Sequence, residues 1–167
     1  LGLLMIALAV GGVLFGAISA LGPISGAHFN PAVSLVFLIK RELGLGSFFG
    51  YVLAQLLGAL AGAALANAMY GKTLLPISSV ERSGTGLWVG EVVATFGLVL
   101  FILLLAKNHS NLIAAAVGVW IVAGHLFTSS TSFANPAVSF GRVFSEAPTS
   151  ISPSSLVGFV AMQLLGA

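Results

Sequence analysis

From Leu3 to Leu21 the chain runs without a charge, and runs of the same kind recur at Phe48–Tyr70, Leu87–Ala106 and Leu112–Phe127. Each is close to the roughly 20 apolar residues that a membrane-spanning helix needs. The third carries one acid, Glu91. Between the runs there is little to coat a water-soluble surface: 6% of the 167 residues are charged, against roughly 25% in an ordinary soluble domain. That excludes a soluble enzyme and a disordered chain. Six basic side chains in no long run also exclude a nucleic-acid footprint. Zero cysteines leave no disulfide, thiolate metal site or cysteine nucleophile. The bilayer is the solvent this sequence is written for.

Two apolar segments are too short to cross it. Pro31 to Ile39 follows the breaker cluster Gly22-Pro-Ile-Ser-Gly26 and stops at Lys40-Arg-Glu42; Pro136 to about Phe144 follows the Ser/Thr-rich stretch 128–132. Nine helical residues rise about 13 Å, under half of the hydrocarbon core, so each segment enters the membrane and returns. A polar loop is expected at Lys72–Gly86, a short turn at 107–111, a loop at Glu146–Ser155, and the start of a fifth span at Leu156.

The short segments are copies of one another. Asn30-Pro-Ala-Val-Ser34 repeats as Asn135-Pro-Ala-Val-Ser139. Downstream, Gln55-Leu-Leu-Gly-Ala59 repeats as Gln163-Leu-Leu-Gly-Ala167, and upstream Ala9-Val-Gly11 repeats as Ala116-Val-Gly118. Three matches in one order indicate a duplication. Three spans separate the copies, and an odd number turns the second upside down. Inverted repeats with discontinuous helices place a site at the bilayer midplane.

Asn is a strong helix N-cap and Pro suits the first helical position, so one Asn-Pro could simply start a helix. Two inverted copies at half depth point further. Each half-helix begins near the midplane with roughly half a positive charge from its dipole. Two such ends facing one cavity repel cations, while the amides of Asn30 and Asn135 offer N–H donors to an uncharged solute.

Ser25-Gly-Ala-His-Phe-Asn-Pro-Ala-Val33, together with Asn135-Pro-Ala137, resembles the aquaporin superfamily, the major intrinsic proteins, and the similarity runs the length of the chain. The resemblance implies an all-α membrane protein: an aquaporin-like inverted repeat of spanning helices and two half-membrane re-entrant helices. It implies one channel domain over residues 1–167, with repeat halves at about 1–75 and 86–167. Against the family's six spans, the first helix and most of the sixth are expected to be missing. Half-helix ends that exclude protons and cations are an established property of aquaporin-type pores. The pore boxes are then Asn30, Pro31, Ala32, Asn135, Pro136 and Ala137.

The same resemblance places a four-residue selectivity filter at Val10, Ala123, Ser132 and Val138. Water-selective members carry a bulky aromatic, a His, a small residue and an Arg there; here all four are small or medium and uncharged. A wide, Arg-less filter is expected to admit solutes larger than water. The segment Thr131–Arg142 is most similar to the aquaglyceroporin-like branch associated with arsenic-resistance genes, which implies glycerol-like polyols and arsenous acid as solutes. Arg142 lies one turn past Val138 and either guards the pore mouth or anchors a loop. Glu91, the one acid within a span, is expected to brace backbone near a half-helix, and His28 to line the inner vestibule. For His125, a packing role is favoured over a pore-lining one. Gly12-x-x-x-Gly16 and Gly58-x-x-x-Gly62 fit close helix packing.

Three readings remain open on sequence: a passive channel, a coupled secondary transporter, and a non-conducting structural role. Coupling normally needs ionisable groups at the midplane, and Glu91 is alone there. No hydrolase motif occurs, so no enzymatic activity, cofactor or metal is expected. The expected partners are water, small neutral solutes, the lipid bilayer and further copies in a homotetramer, in the plasma membrane. Charge does not settle orientation: Lys40, Arg41 and Lys107 lie on one side in the family topology, and Lys72, Arg82 and Arg142 on the other.

Overall fold

A computed structural model describes residues 1–167. The chain is all-helical: α1 (Gly2–Ser25), α2 (Pro31–Ile39), α3 (Leu45–Met69), α4 (Thr85–Asn108), a 3-10 turn (Ser110–Leu112), α5 (Ile113–Phe127), α6 (Pro136–Arg142) and α7 (Pro153–Gly166). α1, α3, α4 and the continuous stretch Ser110–Phe127 are long and apolar enough to cross a membrane. α2 and α6, at 9 and 7 residues, are not.

Several boundaries differ from expectation; α3 starts at Leu45 rather than Phe48, α4 at Thr85 rather than Leu87, and α6 ends at Arg142. α1 does not break at Gly22-Pro23 but continues to Ser25. Proline removes one N–H bond, and in the last turn the helix tolerates that loss. The stop is Gly26, left-handed at φ 72°, whose N–H donates to Gly22 O. α4 extends to Asn108, into the expected turn. α7 starts at Pro153 rather than Leu156, with proline in the first helical turn where it is favoured.

The main apolar core joins α2, α4, α5 and the approach to α6: Val33, Val36, Ala94, Leu98, Val99, Val117, Ile121 and Ala134. A second cluster, Phe133, Val143, Ile151 and Phe159, joins α7 to the segments that flank α6. The two halves meet where α1 crosses α5. A Cβ on Gly118 would lie 2.9 Å from Gly11 O, and one on Gly11 would run into Val122. These are the two glycines that end the upstream repeat, so repeat-related residues touch. Gly97 makes room for the Trp120 ring, whose Nε1–H donates to Ala94 O at 2.9 Å.

The expected packing of Gly12/Gly16 and Gly58/Gly62 is not found: nothing stands within 4 Å of a Cβ added to any of the four. Gly11, one residue away from Gly12, faces the partner helix instead.

Candidate functional site

The two boxes are built alike. Asn30 and Asn135 are extended, at φ −152° and −161°, and each caps the half-helix that its proline opens. Asn30 Oδ1 accepts from Ala32 N–H at 2.9 Å. Asn135 Oδ1 accepts from Ala137 N–H at 2.9 Å and Val138 N–H at 3.3 Å. The amide groups then cross. Asn30 Nδ2 donates to Ala134 O at 2.7 Å, and Asn135 Nδ2 donates to Phe29 O at 2.8 Å. Each amide carries two N–H donors, so one holds the opposite half and one is left over.

The residues leading into each box have left-handed backbone: Ala27 and Phe29 in the first half (φ 46° and 50°), Ser132 and Ala134 in the second (φ 48° and 48°). For residues with a Cβ this costs roughly 1–2 kcal/mol each. In the second half Glu91, fully buried, offsets it. Its oxygens accept from Phe133 N–H and Ala134 N–H, both at 2.9 Å, and from Gln163 Nε2 at 2.5 Å. Gln163 also donates to Ser139 Oγ at 2.7 Å. Gln55 makes the matching bond to Ser34 Oγ at 3.0 Å.

The filter positions are brought together in part. Ser132 is buried, and its hydroxyl stands where a Cβ on Gly124 would be, 2.5 Å away, next to Ala123. Val138 faces two cavities. One, of about 250 Å3, is lined also by Ala59, Ala63, Gly141, Arg142 and Ser145. The other, of about 840 Å3, is an open groove along α3 that His28, Phe29, Tyr51, Gln55 and Ala137 also line. Val10 lines neither and packs against the main core.

His28 lies in the groove, stacked on Phe37 at 4.6 Å with Nδ1 3.1 Å from Ser34 Oγ. His125 is buried, with Nδ1 2.8 Å from Ile121 O. Arg142 shares the smaller cavity with Val138 and donates to Thr149 O at 3.1 Å, a loop-anchoring bond. Sequence reasoning gave Arg82 no part beyond sidedness. It reaches from the α3–α4 loop to donate from Nη2 to Ser130 O at 2.9 Å and Thr131 Oγ1 at 3.1 Å. Burial pushes its guanidinium below the usual range, and Glu91 pulls it back up. A lone Arg in a polar loop carries no local signal of such a contact.

Two half-helices that meet at capped starts, inside spanning helices related by a repeat, define a polytopic membrane protein of the inverted-repeat, re-entrant type. The sequence profile described as Major intrinsic protein matches residues 1–151. Aquaglyceroporin AqpS of Rhizobium meliloti (strain 1021) is 46% identical over 160 residues, covering 96% of this chain and 69% of that protein. Lens fiber major intrinsic protein of Canis lupus familiaris is 37% identical over 148 residues, 82% of this chain and 56% of its own length. That of Gallus gallus is 38% identical over 154 residues, 83% of this chain and 57% of its own length. The chain belongs to the major intrinsic protein family, and it is an integral membrane protein. It spans between about half and about two thirds of the relatives' lengths.

Proposed function

We propose that the protein is a passive channel for water and small uncharged solutes, glycerol-like polyols and arsenous acid among them. The observation that carries this reading is the crossed pair of amides at the half-helix starts. Each of Asn30 and Asn135 keeps one N–H free for a passing oxygen, beside a dipole end that disfavours cations. Val10, Ala123, Ser132 and Val138 are read as the filter. Their lack of bulk and charge supports passage of solutes larger than water, as does the likeness to a protein called an aquaglyceroporin. His28 and Arg142 are read as vestibule residues and Glu91 as the brace of the second box. The same reading makes residues 1–167 one channel domain and the assembled protein a homotetramer of the plasma membrane. It calls for no chemical step on the solute.

The test is stopped-flow flux through the full-length protein in proteoliposomes, comparing water, glycerol and arsenous acid. All three are expected to pass. Val138→Arg is expected to slow glycerol by about tenfold, equivalent to about 1.4 kcal/mol of barrier, with water less affected. Passage of water alone in the unsubstituted protein would overturn the wide-filter assignment.

A further inference from the structure

The loop between α3 and α4 is laid across the second half of the molecule. Ser78 N–H donates to Val143 O and Ser152 N–H donates to Val80 O, both at 2.8 Å. Arg82 N–H donates to Ser155 Oγ at 2.9 Å. These bonds deliver the Arg82 side chain over the approach to the second box, where its guanidinium stands 5.0 Å from the centre of the Phe133 ring. From the far end of α6, the Arg142 guanidinium stands 4.2 Å from the same ring.

Two cations thus share one aromatic ring, which attracts both. Neither has a carboxylate at ion-pair distance; the ion pair that forms is Lys40–Glu42. Glu81, next in sequence, accepts from Ser154 Oγ at 2.7 Å and Ser155 Oγ at 3.0 Å instead. Glu91 is taken by the N–H groups of Phe133, Ala134 and Gln163. The polar contacts of both guanidiniums are to neutral oxygens, and Arg82 Nε is buried with no partner. Fastening a loop needs donors but no charge. Two like charges with no ion-pair partner oppose each other, Glu91 acts on Arg82 only from beyond contact, and the pair projects a summed positive field. Phe133 follows Ser132 and lies two residues before Asn135, so that field falls on the approach to the second half-helix, with Arg142 beside Val138 in the smaller cavity.

Resting on the channel reading above, we propose that Arg82 is a selectivity-determining residue: with Arg142 it forms a two-guanidinium barrier around Phe133 that keeps cations from a pore whose Val138 position is uncharged. The barrier is assembled from a loop and a half-helix end rather than from the filter itself.

The experiment measures the ratio of sodium leak to glycerol flux in proteoliposomes of the full-length protein, which normalises for the amount of active channel. A unit charge acting over about 7 Å at an effective dielectric of about 40 changes a monovalent cation's passage by roughly tenfold. Arg82→Gln is therefore expected to raise the ratio about tenfold, and Arg82→Lys to leave it near the starting value. Val138→Arg added to Arg82→Gln should bring the ratio back down. If Arg82→Lys leaks as much as Arg82→Gln, the side chain acts by its hydrogen-bond geometry and the proposal falls. An unchanged ratio in Arg82→Gln overturns it as well. Absence of glycerol flux from the unsubstituted protein would instead remove the channel reading, and this barrier with it.

Discussion

Phe29 and Ala134 carry the left-handed backbone that turns the chain into each half-helix, and their carbonyls accept the crossed amides. The strain at Ala134 is held by Glu91, which makes that carboxylate the residue whose loss should be felt most. Glu91→Ala leaves two buried N–H groups without an acceptor, each costing about 1–3 kcal/mol. A large drop in thermal stability is expected in detergent. Glu91→Gln keeps one acceptor oxygen and should fall between the two; equal loss in both variants would show that charge rather than acceptor capacity matters. At this scale the sequence was readable where the physics is local. An Asn before a Pro caps a helix whatever surrounds it, and both boxes do so. Arg82 was not readable. Its partners Ser130 and Thr131 lie 48 and 49 residues away, and no pattern in the loop announces them.

Helix α1 was predicted from its apolar run, but which of its glycines meets another helix was not. The run Gly11-Gly12 puts two glycines on adjacent directions of the helix, and spacing alone cannot tell the buried one from the exposed one. Gly11→Ala or Gly118→Ala should therefore destabilise the protein by about 1–3 kcal/mol by overpacking. Gly12→Ala and Gly16→Ala should be neutral or slightly stabilising through helix propensity. Thermal melts of the four variants separate these outcomes. The duplication, visible as matched words, also pairs the open groove along α3 with a packed surface on α7. Ser155, Gly158, Gln163 and Gly166 of α7 have Ser47, Gly50, Gln55 and Gly58 as their counterparts on α3. On α7, a Cβ on Gly158 would meet Trp88, one on Gly166 would meet Thr95, and Gln163 bonds Glu91, all three on α4. On α3 the same positions line the groove.

For the molecule as a whole, the all-α membrane fold followed from charge poverty and run length, since a bilayer admits few alternatives to a helix. How chains assemble is a question for surfaces. Along α3, Leu53, Leu57 and Leu65 are each about 60% exposed, an apolar face for lipid or for neighbouring copies. Native mass spectrometry of the full-length protein is expected to show a homotetramer; a monomer that still conducts would place the pore within one chain and make assembly dispensable.

The crossed amides have a mechanical consequence. To widen the waist between the boxes, the bonds from Asn30 to Ala134 and from Asn135 to Phe29 would have to lengthen together, because each half is fastened to the other's backbone. On the channel reading proposed above, the waist is a fixed aperture rather than a breathing one. Flux through it should then follow a straight, shallow Arrhenius line, with no break on warming that would mark an opening step.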